Sequence, residues 1–432
     1  MRKTTAIIAL ALLAACGTTA RKPQPARMPP VVVSEPAAPS PGAALDSTSA
    51  LQARLAVADS IIQAWVSAQK VPGAVLLVAR DGQVVHDRAF GYAQLYDYAM
   101  HRLADPPAMD TSTMFDLASV TKVMATTFAV MMLVDQGKID VDAPVYAYLP
   151  DFRGVHKDSI TVRHLLQHAG GLVRWQPLYY QASNEDECYR AIRDMPLQWG
   201  VGKERQYSDL GFMLLGYIIE HVTGEPLNDY LQKNLYEPLG LRHTTFNPKK
   251  HGFTHFAATE QGNGYERHMV YDDDFGYDYD GDPTSWDGWR HYVLIGEVND
   301  GNSWYANGGM AGHAGLFSTA ADLRILLDLL NARGEYGGRR YISASVIDQF
   351  LTEDRFHNYL GWQKPRELPE GSFFHNGFTG TYVLGVPSEK LSIVLLTNRQ
   401  NVGTDAKGYF TNVGPLDSAV AQAVAGPTGS GL

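Results

Sequence analysis

The sequence predicts an α+β domain: an antiparallel sheet assembled from both chain ends and flanked by helices, with a mostly helical lobe inserted between them. Three observations predict it. "GAVLLVARDGQVVHDRAFGYA", beginning at residue 73, is two β-rich runs joined by Asp81-Gly82, a dipeptide that accepts the positive φ angles of a tight hairpin. Toward the other end, "GTYVLGVPSEKLSIVLLTNR" repeats that pattern, with Pro387-Ser388-Glu389-Lys390 as its turn. Between the two, from about 125 to 330, apolar residues recur mainly at helical spacing, as in "TTFAVMMLVDQG", "LGFMLLGYIIEHVTG" and "AADLRILLDLLNARG".

The elements follow in chain order. "MRKTTAIIALALLAACGTT" combines Arg2 and Lys3 with a short apolar run, the pattern of a secretory signal and too short to span a bilayer stably. Its end, Leu13-Ala14-Ala15-Cys16, resembles a bacterial lipobox, which implies a signal over 1–16 and a lipid on Cys16 that anchors the mature chain to a membrane. Gly17 after that cysteine, with no Asp, fits retention at the periplasmic side of the outer membrane in a Gram-negative host. Residues 17–50 are rich in Pro, Ala and Ser and read as a disordered tether, able to reach up to about 100 Å. The folded domain is expected over 51–425. It opens with a helix carrying Leu51, Leu55, Val57, Ile61, Ile62, Trp65 and Val66. An α/β lobe is assigned to about 51–120 and 335–425, closed by the helical "LDSAVAQAVAG", and the helical lobe to about 121–334.

Composition narrows the function. A chain of 432 residues exceeds one simple core, and its net charge of −10 has no compensating basic block. Nucleic acid is therefore not an expected partner, because phosphate binding needs clustered Lys and Arg. With Cys16 acylated, only Cys188 remains, so no intramolecular disulfide forms. The segment 271–289, "YDDDFGYDYDGDPTSWDGW", alternates Asp278, Asp280 and Asp282 as a calcium loop would. Pro283 replaces the turn glycine and no Glu closes the site, so a solvated acidic loop near the site entrance is expected, with no metal and no cofactor.

The chemistry centres on "DLASVTKVMATT". Ser119 and Lys122 are three apart at the start of a nearly uncharged helix, where the positive end of the macrodipole favours a developing alkoxide. Burial would lower the Lys122 pKa, by roughly three units if the amine is to act as a base at neutral pH. A second pair, Ser67 and Lys70, lies at a helix end of the wrong polarity. Two further elements support the first pair: Tyr207-Ser208-Asp209, immediately before an apolar helix, and His375-Asn376-Gly377, on a strand leading into the C-terminal hairpin.

These three elements, with phrases such as "ITVRHLLQHAGGL", "YSDLGFMLLGYIIEHVTG" and "GGMAGHAGLFSTAADL", resemble the serine β-lactamase and penicillin-binding-protein superfamily over about 55–425. The branch is that of class C β-lactamases, DD-peptidases and family VIII-type esterases, most similar to periplasmic D-alanyl-D-alanine carboxypeptidases of the low-molecular-mass penicillin-binding type. The resemblance implies a β-lactamase/transpeptidase-like fold and a serine hydrolase working through an acyl-enzyme. In its terms Ser119 is the nucleophile, Lys122 and Tyr207 move its proton, His375 is the fourth catalytic residue, and the backbone N–H groups of Ser119 and Phe378 form the oxyanion hole. Asp209, Asn376 and Gly377 would bind substrate, a peptidoglycan peptide, small ester or β-lactam.

Two positions depart from the commonest motifs. Asp209 stands where the tyrosine motif usually ends in Asn, so it only accepts hydrogen bonds and weakens the case for efficient β-lactam turnover. His375 replaces the usual Lys and leaves the site without a fixed cation. Arg399 reads as a surface salt bridge, His164, His168 and His313 as structural, and the literal Tyr305-Ala306-Asn307 as a loop element. The alternatives are a class C-like β-lactamase, a conventional Ser-His-Asp hydrolase using His375, and a penicillin-binding sensor or wall-binding lipoprotein with negligible turnover. No Gly-x-Ser-x-Gly elbow supports the second of these.

Overall fold

The computed structural model describes residues 41–426 apart from Gly276 and Asp278. The signal, Cys16 and most of the tether lie outside the described residues, as does the first aspartate of the calcium-like pattern. Residues from Ser49 onward form one compact unit. Its principal helices are α1 (Pro41–Ser67), α2 (Phe128–Asp135), α3 (Asp209–Thr223), α4 (Ala320–Asn331) and α5 (Gly414–Ala425). α1 begins at Pro41 and not at Leu51, so the end of the expected tether is helical; proline suits a first helical turn, and "GAAL" contains strong helix formers. Leu55 and Ile62 are buried as the periodicity requires, whereas Val57 is 38% exposed and belongs to the outer face.

The sheet has five strands: β1 (Gly73–Arg80), β2 (Gln83–Gly91), β3 (Phe373–Gly377), β4 (Thr381–Val386) and β5 (Leu391–Thr397). Their order is β3-β4-β5-β1-β2, all antiparallel, so both chain ends do build one sheet. The join is β1 against β5, with Ala74 opposite Thr397 and Arg80 opposite Leu391. Asp81 and Gly82 take φ of 51° and 73°, the paired positive angles that the first hairpin demands.

Side-chain alternation along β1 divides the core in two. Ala74, Leu76 and Val78 face one apolar cluster with Leu55 and Ile62 of α1 and Leu416, Val420 and Val424 of α5. Val75, Leu77 and Ala79 face a larger one, with Val123, Phe128 and the helical lobe. Helices on both faces explain why β1 is apolar throughout.

The helical stretch Ala118–Asp135 is apolar enough to cross a membrane by length and composition, but 83% of it is buried inside the protein, as a core helix requires. It starts as a 3-10 turn (Ala118–Val120), widens into a π turn (Lys122–Thr127) and continues as α2. Widening shifts the usual backbone bonds, and side chains meet two of the carbonyls: Thr127 Oγ1 donates to Lys122 O and Tyr236 OH to Met124 O, both at 2.8 Å.

Candidate active site

Residue by residue, the site begins with backbone held under tension. Ala118 has φ of 44°, a left-handed angle unusual for a residue with a Cβ, and it precedes Ser119. Asp116 enforces that conformation from below: its carboxylate accepts Ala118 N–H at 2.9 Å and Asn299 N–H at 2.6 Å. Burial pushes the Asp116 pKa up to about 6 against the pull of those two donors. The short strand Phe115–Asp116 also pairs with Leu316–Ser318, which ties the approach to Ser119 into a second small sheet.

Lys122 is fully buried behind Ser119. Its Nζ donates to Ser119 Oγ at 2.9 Å and to His313 O at 3.1 Å, and forms an ion pair with Asp209 Oδ1 at 2.7 Å whose angles are not those of a hydrogen bond, so the contact is one of charge and proximity. The expected downward pKa shift does not occur. Burial is the largest influence and does act downward, but the charge of Asp209 and contact with Tyr207 outweigh it and hold the amine above its ordinary value. Asp209 reaches this position as the first residue of α3, with Ser208 capping the helix through Gly211 N–H at 3.3 Å. It lines the cavity as expected, yet its carboxylate is committed to Lys122.

Tyr207 lies beside Lys122, whose Nζ is 5.0 Å from the ring centroid, and its own pKa is raised, chiefly by burial. A residue read as structural holds it there. His168 stacks on the Tyr207 ring with centroids 4.4 Å apart, its carbonyl accepts Gln206 N–H at 2.8 Å, and its Nδ1 accepts Ser208 N–H at 3.1 Å. These two bonds bracket Tyr207. Burial keeps His168 neutral, well below its usual pKa, as an accepting nitrogen must be. The only signal in the sequence is an imidazole separated by Ala169 from Gly170-Gly171. His313 was also read as structural, yet its carbonyl holds Lys122 and its Nε2 meets Asp300 Oδ1 at 2.9 Å. Burial opposes ionisation of Asp300, but His313 draws its pKa down to about 2. His164, by contrast, caps the helix Val162–Leu166, as a structural residue would.

β3 supplies the opposite wall. Gly377 is required there because a Cβ would fall 2.3 Å from Leu117 O and 2.2 Å from Thr381 Oγ1. Thr379 Oγ1 donates to Asp116 O at 2.7 Å and Thr381 Oγ1 to Leu117 O at 2.9 Å, so the strand end is fastened to the turn carrying Ser119. Gly377 O accepts Gly380 N–H at 3.0 Å; in a trans peptide this turns Phe378 N–H the opposite way. Arg399 makes no ion pair among the described residues. It donates to Phe378 O at 2.8 and 2.6 Å and to Thr411 O at 2.8 Å, fixing the same loop, so the salt-bridge expectation is corrected.

His375 is buried behind Tyr207, with ring centroids 6.4 Å apart. Its Nδ1 meets Asn376 O at 2.8 Å, and burial, helped by Lys122, lowers its pKa to about 3. It is a neutral imidazole at physiological pH. Asn376 does not join the site: strand alternation places it on the exposed face, with His375 and Gly377 buried.

A cavity of about 580 Å³ opens over these groups, lined by Ser119, Tyr207, Asp209 and Phe378 and walled by Tyr265, Phe275, Tyr277 and Tyr409. The 271–289 segment therefore contributes Phe275 and Tyr277 to the cavity wall, and Trp289 is buried beyond it. Asp280 is exposed, and Asp282 accepts from Thr284 N–H at 2.8 Å and Oγ1 at 2.7 Å. Tyr305 OH donates to Asn263 Oδ1 at 2.6 Å from within a helical turn, Asn302–Ala306, so the Tyr305-Ala306-Asn307 triplet is not a simple loop. Cys188 is buried, and burial pushes its thiol up to about 12.

A serine on a cavity wall with a dry lysine behind it, at a helix start and beside a phenol, defines together with this sheet a serine hydrolase of the β-lactamase and penicillin-binding kind. A family model described as Beta-lactamase matches residues 58–414, and the chain belongs to that family. A Bacillus subtilis (strain 168) protein named "N-acetylmuramyl-L-alanine amidase" is 36% identical over 378 residues, covering 81% of each chain. A Salmonella agona (strain SL483) protein named "Putative D-alanyl-D-alanine carboxypeptidase" is 33% identical over 370 residues, covering 78% of this chain and 82% of its own. A solved class C β-lactamase from Rhodobacter sphaeroides shares the fold, with a TM-score of 0.59 at 19% identity over 85% of this chain and 98% of that one.

Proposed function

We propose that Ser119 is the nucleophile of an acyl-enzyme hydrolase acting on D-alanyl peptides or related amides and esters of peptidoglycan fragments. The observation that carries this reading is the 2.9 Å contact of a fully buried Lys122 Nζ with Ser119 Oγ on the wall of an open cavity. Attack on a carbonyl needs a place for the serine proton and donors for the new oxyanion. Lys122 and Tyr207 stand at the first; Ser119 N–H and Phe378 N–H flank the second. General-base assistance is worth about 10² to 10⁴ in rate and one oxyanion donor about 10² to 10³.

Substrate choice follows from the walls. Among the described residues Arg174 is the one Arg or Lys on the cavity lining, and it is exposed at its edge, so on this reading it replaces His375 as the cation for a substrate carboxylate. Past Trp175 and Tyr277 the cavity continues into a wider groove of about 1020 Å³ lined by Tyr180, Trp199 and Tyr279. That room suits a ligand larger than a dipeptide, which favours a muramyl-peptide amide, the bond class named for the Bacillus relative, over a free β-lactam. On the same reading the chain works at the periplasmic side of the outer membrane, anchored through Cys16.

A fluorescent penicillin is expected to label the wild-type protein and leave Ser119→Ala unlabelled; labelling of the alanine variant removes Ser119 from the mechanism. Turnover of a D-Ala-D-Ala peptide, a muramyl-peptide, a p-nitrophenyl ester and a chromogenic cephalosporin then ranks the substrate classes. A single burst without steady turnover on all four would favour the sensor.

A further inference from the structure

Among the described residues no free base touches Ser119. Lys122 is held protonated by Asp209, and Tyr207 keeps its phenolic proton because burial raises its pKa. His375 is neutral with Nε2 unpartnered, but it stands behind Tyr207 and off the cavity lining. Every element packed around the amine presents a named group: Ser119 from its own turn, Tyr207 and Arg205 from the loop before α3, Asp209 and the Phe212 ring from α3, His313 O from the 311–315 turn, His168 and His375 behind Tyr207. Among these, one anion touches Lys122.

We propose that Asp209 receives the proton of Ser119 through Lys122, so that the residue standing where Asn is usual makes the amine a relay. The inference rests on the acyl-enzyme reading. As Ser119 Oγ bonds to the acyl carbon, its O–H bond breaks and the proton passes to Lys122 Nζ, while a proton already on Nζ crosses 2.7 Å to Asp209 Oδ1. The carbonyl π pair becomes the oxyanion between Ser119 N–H and Phe378 N–H. When that pair returns, the bond to the leaving amine or alcohol breaks, and the proton travels back from Asp209 through Lys122, with Tyr207 OH the nearest group to hand it on. The amine is an ammonium before and after, and no co-reactant is consumed. Asp209 is a positioning residue in this scheme, acting on the serine only through Lys122.

The pair functions whenever it holds one proton in total, so its acid limit belongs to the pair and not to the amine. A lone Lys122 would instead function only above its own pKa. The two cases separate in the pH dependence of Ser119 phosphonylation by a fluorescent fluorophosphonate, followed from pH 4 to 10. The wild-type rate is expected to be flat through neutrality and to fall only in the carboxylate range. Asp209→Asn is expected to be about 100-fold slower at pH 7 and to recover about tenfold per pH unit toward the amine range. Asp209→Glu, which keeps a carboxylate, retains the flat profile even where its absolute rate drops. An Asn variant as fast as wild type at pH 7, or with its acid limb unmoved or lower, overturns the relay. If the Asn variant does not fold, a wild-type limb in the amine range overturns it equally. No labelling of wild type sinks the acyl-enzyme reading itself, a different outcome from labelling with an unshifted limb.

Discussion

The chain carries two Ser-x-x-Lys pairs, and their contrast shows what the spacing is worth. Ser67 ends α1 and Lys70 follows it; both are exposed, Gln63 Nε2 donates to Ser67 Oγ at 3.1 Å, and Lys70 Nζ lies 4.7 Å from the Trp65 ring centroid. Ser119 and Lys122 have the same spacing at the opposite end of a helix. There the amine is dry, paired with a carboxylate and 2.9 Å from the hydroxyl. Identical letters thus give a solvated surface pair in one place and a proton-transfer site in the other. Helix polarity, burial and a long-range anion make the difference.

The sharpest way to break this comparison is to remove the amine from the buried pair. Lys122→Ala is expected to cost about 10² to 10⁴ in the acylation rate, measured by stopped-flow labelling, and to leave Asp209 a half-buried carboxylate without its cation. A conventional Ser-His-Asp hydrolase would instead collapse only on His375→Ala. Next comes the fastening between strand and turn. Gly377→Ala places a methyl against the Leu117 carbonyl, and overpacking of that kind costs about 1 to 3 kcal/mol, read as a lowered midpoint in urea together with a fall in kcat.

A smaller effect lies in pH-dependent stability. His375 titrates at about 3 when folded and near 6.5 when unfolded, so the unfolded chain binds more protons between those limits. Its contribution is complete above pH 6.5 and is lost as the pH falls toward 3. Asp116 and Glu260, raised to about 6 and about 7, slope the other way, and only a difference measurement isolates the histidine. The Tm of wild type minus that of His375→Gln is expected to shrink on acidification from pH 7 to pH 4.5. The smallest expectation concerns the exposed pair: Ser67→Ala with Lys70→Ala should change acylation less than twofold and stability by no more than about 0.5 kcal/mol. A large loss there would erase the contrast between the two pairs.

Much of this is legible in the sequence. Asp81-Gly82 and the Pro387–Lys390 turn announced the hairpins, and their β-rich flanks the sheet. Ser119, Lys122 and Tyr207 were recognisable because each stands at a helix boundary, where local pattern is strongest. Other features were not legible because they depend on encounters between distant segments. Burial alone argued for a depressed lysine, and only the approach of the α3 N-terminus to the turn after Ser119 reverses the sign. His168 looked like a lone histidine on a helix, since nothing local reveals that Tyr207 will lie on its ring. Asn376 departs from its expected place for a simpler reason: strand alternation sends neighbours to opposite faces, so His375, Asn376 and Gly377 do not share one surface.

The join of β1 to β5 has a consequence in time. During synthesis the serine and its lysine emerge roughly 250 residues before the loop that completes their pocket, and the strand meant to lie beside β1 comes later still. Until the segment 375–381 is fastened to the turn carrying Ser119, the amine can already be enclosed by its own lobe but the wall opposite the serine is missing. The oxyanion pocket therefore unites the two ends of the chain, and no fragment that stops short of the last strands contains it.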